Sequence, residues 1–131
     1  MRNHLQVNKI NKLNKRRLGG KYEKVAAEYL AGKGHRVVAT NFHAGRGELD
    51  LVTRDGEWLV FVEVKYRRNS TAGLPEEAVD ALKLSRMARA AEFFMFENGI
   101  GENSPARFDV VAISGSGDGL DIRHYENVTG F

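Results

Sequence analysis

The chain has 131 residues, of which 42% are hydrophobic and 28% charged; it carries a formal net charge of +3 and no cysteine. That is about one domain of soluble chain, which excludes a disulfide framework, a thiolate zinc site and a cysteine nucleophile. No apolar run approaches the roughly 18 residues of a membrane span, and the start lacks the apolar stretch of a secretory signal, so the expectation is a cytoplasmic protein with no membrane partner.

The charge is unevenly placed: residues 1–22 hold seven Lys/Arg and no acid, while residues 23–131 hold 13 Lys/Arg against 17 Asp/Glu. The reading is a basic N-terminal arm, residues 1–17, ahead of one domain, residues 18–131. Such an arm could follow a phosphate backbone by counterion release, or be a solvated tail. Leu5, Val7, Ile10, Leu13 and Leu18 give it only a ragged helical stripe, and an acid-free basic start also resembles a transit peptide.

Apolar residues at 22, 25, 26, 29 and 30 predict an amphipathic helix over 22–30, ended by Gly32 and Gly34. A short strand over 35–40 and a loop over 41–47 follow. Residues 48–54 and 57–66 are β-rich runs around Asp55-Gly56, a dipeptide suited to a two-residue type I′ turn, and predict a hairpin. After a polar loop at 67–73, Pro75 opens a long helix reaching towards Gly99, with Ala78, Ala81, Leu82, Ser85, Ala88 and Ala91 as a small-residue face for a sheet. Strands at 108–113 and 120–125 complete the order αβββαββ. One mixed sheet with a helix on each side, an α/β sandwich, satisfies that order.

With Asp55 and Gly56 as the whole turn, paired positions sum to 111 and Glu48 faces Glu63. Leu49, Leu51 and Thr53 then share an apolar face with Trp58, Val60, Val62, Val64 and Tyr66. The opposite face carries Val52, Leu59 and Phe61 near the turn, and Glu48, Asp50, Glu63 and Lys65 further away. Three neighbouring carboxylates repel one another and demand a cation. Lys65 and Arg46 could supply it as a structural salt-bridge cluster, or a divalent ion such as Mg²⁺ could do so. A lysine beside such an ion could stabilise the charge of phosphoryl transfer.

Asp50, followed after twelve residues by Glu63-Val64-Lys65, resembles the PD-(D/E)XK nuclease signature, with Leu49 where that signature has proline. The wider pattern is more specific. Gly20-Lys21-Tyr22-Glu23, Gly47-Glu48-Leu49-Asp50-Leu51, Val60 to Lys65, Pro75 with Ala78-Val79 and Lys83, and Arg107-Phe108-Asp109-Val110-Val111 together resemble the YraN family of small bacterial proteins. The resemblance implies a restriction-endonuclease-like fold related to archaeal Holliday-junction resolvases. It implies Asp50 and Glu63 as ligands of Mg²⁺ or Mn²⁺, Lys65 as the catalytic lysine, and Glu23 as an acid from the first helix. Helical geometry also sets Glu23 at the edge of the apolar stripe, whereas Glu28 points away; an ordinary first-turn glutamate is the other reading.

Glu48 could be a ligand or a partner of Arg46 or Lys65. Arg46, Arg67, Arg68, Lys83 and Arg86 could contact phosphates or be solvated. Asp109, between apolar strand residues, reads as a hydrogen-bonded structural acid, and the four histidines lack zinc-ligand spacing. Phe93, Phe94, Met95 and Phe96 exceed one core face, which suits either a homodimer contact or packing under a loop. The expectation is a metal-dependent nuclease acting on nucleic acid, DNA with branched DNA among the candidates, with a non-catalytic nucleic-acid-binding or adaptor protein as the alternative. A protein-interaction module using the Phe93–Phe96 surface is the third.

Overall fold

A computed structural model describes residues 20–68, 80–117 and 119–129. The elements are α1 (Gly20–Gly32), β1 (Arg36–Ala44), β2 (Gly47–Asp55), β3 (Trp58–Arg67), α2 (Ala81–Glu97), β4 (Ala106–Ser114) and β5 (Asp121–Tyr125). The strands form one sheet in the order β1-β2-β3-β4-β5, antiparallel at every junction except the parallel β3–β4 pair. It is an α/β fold with a mixed five-stranded sheet and two helices. The basic arm lies outside the described residues.

Alternation along β2 and β3 divides the core into two layers. Leu51, Val60 and Val62 pack with Val111 and Ile113 against Ala26 and Leu30 of α1. Val52, Leu59 and Phe61 pack with Phe108 against Met87, Ala90, Ala91 and Phe94 of α2. The sheet therefore carries a helix on each face.

Several local expectations are corrected. β1 runs through Ala44 instead of yielding to a loop at residue 41; Asn41 stays in the strand at φ 52°, in the left-handed region that asparagine tolerates. The hairpin turn consists of Gly56 and Glu57, so Asp55 pairs with Trp58 and paired positions sum to 113 rather than 111. A turn at Asp55-Gly56 of type I′ would require positive φ at both residues, whereas here Gly56 alone supplies it (61°). Asp55 is left to meet Arg107 at 3.0 Å. Because the slip is two residues, even-numbered β2 positions still oppose odd-numbered β3 positions on one face.

The helix expected from Pro75 is also corrected. Asp80 is extended (φ −79°, ψ 177°) and its carboxylate accepts the Lys83 amide, so the helix covering 81–97 begins there as an N-capped element; Pro75 itself lies outside the described residues. Its inward face is Met87, Ala90, Ala91 and Phe94, while Leu82 is 61% exposed and Ser85 is exposed. The small-residue pattern left the azimuth ambiguous, and the larger Met87 and Phe94 decide it by burying more apolar surface. Phe93 and Phe96 are exposed, and Phe94 and Met95 are packed in the core.

Candidate functional site

The site sits where the hairpin forks. β2 stays paired with β1 as far as Ala44↔Gly47, and β3 stays paired with β4 as far as Arg67↔Ser114, but β2–β3 pairing ends at Leu51↔Val62. Beyond that point the Asp50 carboxylate takes the place of a backbone acceptor: the Val64 N–H donates to Asp50 Oδ2 at 2.8 Å. The expected face is corrected here too, because Leu49 packs in the α2 layer whereas Leu51 packs in the α1 layer. Asp50 lies between them, with its carboxylate directed into the opening.

A cleft of about 520 Å³ at this fork is lined by Tyr22, Glu23, Asp50, Glu63, Val64, Lys65, Tyr66 and Lys83. Asp50, Glu63, Lys65 and Glu23, the four residues singled out for catalysis, thus face one space from three elements. Glu63 is only 4% exposed. Burial, then a hydrogen bond and charge repulsion from Asp50, push its carboxyl up to about 8, while Lys83 pulls the other way. Without another cation, Glu63 therefore holds its proton at neutral pH.

Lys83 is the cation the sequence reading placed elsewhere. Its Nζ lies 3.1 Å from Glu63 and 4.0 Å from Glu48. Burial works against its charge, yet Glu63 and the neighbouring acids hold its ammonium above the ordinary lysine value. Glu48 pairs with this lysine and with His43 at 3.7 Å, and not with Arg46 or Lys65, the partners weighed beside a ligand role. The signal was present in the sequence, since 83, 87, 90, 91 and 94 follow helical spacing and set Lys83 on the inward stripe of α2. Tyr22 and Tyr66 stack at 3.7 Å with an interplanar angle of 11°, and the Tyr66 hydroxyl donates to the Gly115 carbonyl at 2.7 Å. This pair walls the cleft on the α1 side.

Arg67 is exposed at the end of β3, beside Arg68. Arg46 and Arg86 line a separate small pocket with Glu48 and Lys83. Among the described residues, no three His, Asp or Glu side chains group closely enough to cage a metal ion unaided. The donors at the fork are the Asp50 and Glu63 carboxyls, facing an open cleft. That fits a hard cation completing its shell with water and phosphate oxygens, the usual habit of Mg²⁺.

Asp109 belongs to a different cluster. It is fully buried and accepts from Arg107 Nε (3.0 Å), His124 Nε2 (2.8 Å) and the Asn127 amide (2.9 Å). Burial alone would push its carboxyl up, but these donors hold it below the ordinary carboxylate range. It is a structural acid, as its apolar neighbours suggested.

The model of the uncharacterised protein family UPF0102, the YraN family, matches residues 22–113. A UPF0102 protein of Chromohalobacter salexigens is 46% identical over 101 residues, covering 77% of this chain and 80% of its own length. One from Carboxydothermus hydrogenoformans is 35% identical over 119 residues, covering 91% of this chain and all of its own. Another, from Symbiobacterium thermophilum, is 46% identical over 104 residues, covering 79% and 87%.

Proposed function

This chain belongs to the UPF0102 family, and we propose that it is a Mg²⁺- or Mn²⁺-dependent nuclease of restriction-endonuclease-like fold, acting on DNA in the cytoplasm. The observation that carries this reading is the Asp50–Glu63 pair: an acid of β2 that has replaced a ladder acceptor and a buried acid of β3, both facing one cleft with Lys65 and Glu23 at the fork of a hairpin. A structural acid is given enough donors to stay ionised; Glu63 is not.

Asp50 and Glu63 would hold the ion, which when bound supplies Lewis acidity at the scissile phosphate and a more acidic water. Loading requires Glu63 to give up its proton, and Lys83, already within 3.1 Å, offsets the charge that remains. Lys65, on the same strand two residues beyond Glu63, brings an ammonium to the phosphate or to the attacking water. Glu23 closes the α1 side of the cleft and orients water there. The stacked tyrosines, both half-buried, offer an aromatic wall to a passing strand. Arg67, exposed beyond Lys65, contacts flanking phosphates.

One observation favours the non-catalytic alternative, a nucleic-acid-binding or adaptor protein. Lys83 already gives Glu63 a cationic partner, and among the described residues no three-acid cage accompanies it. The two readings part on labelled single-stranded, duplex, flapped and four-way DNA, incubated with Mg²⁺ or Mn²⁺ and the wild type, Asp50→Ala or Lys65→Ala. The nuclease reading expects metal-dependent cleavage that both substitutions abolish. Binding without cleavage supports the alternative, and equal residual cleavage in all three proteins rejects the assigned site.

A further inference from the structure

The turn between β1 and β2 stands against the first turns of α2, and a pocket of about 100 Å³ opens between them. Its lining carries His43, Arg46, Lys83 and Arg86 against a single acid, Glu48. That acid is engaged by His43 and Lys83, and among the described residues no ion pair engages Arg46 or Arg86. Two guanidinium groups are therefore left with their planar donor forks available, the geometry that matches a phosphate. The space suits one phosphate group and not a base.

The pocket is held in place by backbone contact. A Cβ on Gly47 would collide with the Arg86 carbonyl oxygen and crowd the Ala90 methyl at 3.1 Å. Only glycine lets the turn and the helix touch there, so the backbones that carry Arg46 and Arg86 are held beside each other by packing. Lys83 and Arg86, three residues apart, share one helix face. Lys83 is also common to this pocket and to the carboxylate cleft, which makes the two spaces neighbours.

We infer that this pocket is a phosphate-binding subsite for a nucleic-acid backbone, holding a phosphodiester next to the one presented to Asp50 and Glu63. The inference rests on the reading of the protein as one that handles nucleic acid, and adds where the strand runs: from the fork, past Lys83, along the β1–β2 turn. Arg46 and Arg86 position that strand without touching the reacting atoms.

The test measures binding of the full-length protein to labelled single-stranded and four-way DNA, by fluorescence anisotropy, in EDTA and again in Ca²⁺, across a salt series. The variant Arg46→Ala/Arg86→Ala is compared with Arg36→Ala/Arg54→Ala, which removes two cations from the opposite end of the same strand pair. The pocket variant should lose about tenfold or more in affinity, and its dependence of log K on log salt should flatten by roughly one to two, with the control near wild type. Arg46→Lys/Arg86→Lys should recover the salt slope but only part of the affinity. Equal behaviour of the pocket variant and the control overturns the subsite alone, leaving metal-dependent cleavage to stand on its own assay. Absence of wild-type binding to either DNA in either buffer overturns the subsite and the nucleic-acid reading together.

Discussion

Two buried acids, Asp109 and Glu63, sit one rung apart in the β3–β4 pair and have opposite fates. Asp109 is fully enclosed and accepts from a guanidinium, an imidazole and a backbone amide, so it stays ionised below the ordinary carboxylate range. Glu63 is almost as buried, but has one lysine and a second carboxyl for company, and its carboxyl rises to about 8. Burial is nearly the same, so the count and sign of the neighbours decide the outcome. The first acid is finished by the fold; the second needs something the chain does not supply in full.

The largest test of that contrast is stability. Asp109→Ala strands the mostly buried Arg107 among fewer acids, and should lower the unfolding free energy in urea by about 3–5 kcal/mol. Glu63→Gln should instead keep or raise stability in EDTA at pH 8, since it removes a carboxyl the fold disfavours. Equal losses from both substitutions would erase the distinction.

The pH dependence should differ in sign as well. The proton on Glu63 is held by the folded form and released by the unfolded one between the ordinary value of 4.5 and about 8. Metal-free stability should therefore fall across that window by a few kcal/mol, a tenfold change in proton affinity being worth about 1.4 kcal/mol. Asp109 and Asp55, both lowered, contribute stability that is present above the ordinary value of 3.8 and lost as pH falls through their folded values. Urea titrations in EDTA from pH 4 to 9 check this: the wild-type decline should be missing from Glu63→Gln.

Metal should close the gap between the two acids. Mn²⁺ at about a hundred times its dissociation constant should add roughly 2.7 kcal/mol to the wild type, read as a rise in Tm, and nothing to Asp50→Ala. A smaller effect is expected from Gly47→Ala, whose methyl meets the α2 backbone; overpacking there should cost about 1–3 kcal/mol in urea. It should leave the pH decline assigned to Glu63 intact, since it alters packing and not the carboxyl pair.

Much of this was legible in the residues. The β-rich runs around Asp55-Gly56 announced the hairpin, and period-two alternation brought Asp50, Glu63 and Lys65 to one side even though the register was wrong by two. What alternation could not show was the fork: the strands separate because Asp50 takes the Val64 amide, and a side chain acting as a ladder acceptor leaves no mark in a hydrophobic pattern. The Lys83 partner was missed because Ala81, Leu82, Ser85 and Ala88 suggested a different inward face for α2. Met87 and Phe94, being larger, set the rotation. Glu23 reached the cleft as helical geometry predicted.

The parallel β3–β4 pair has a consequence for how the molecule comes together. Each of its rungs, from Leu59↔Ala106 to Arg67↔Ser114, joins residues 47 positions apart, whereas the β2–β3 hairpin closes within a few residues of its turn. Distant pairings form late because loop closure must precede their reward. Asp50 and Glu63 can therefore be brought near each other by an early, local event, but Lys83 belongs to the crossover that the parallel pairing must close. Until that step is complete the two acids lack their cation, and a ribosome-bound chain that has not yet released β4 holds the hairpin without the charge that balances it.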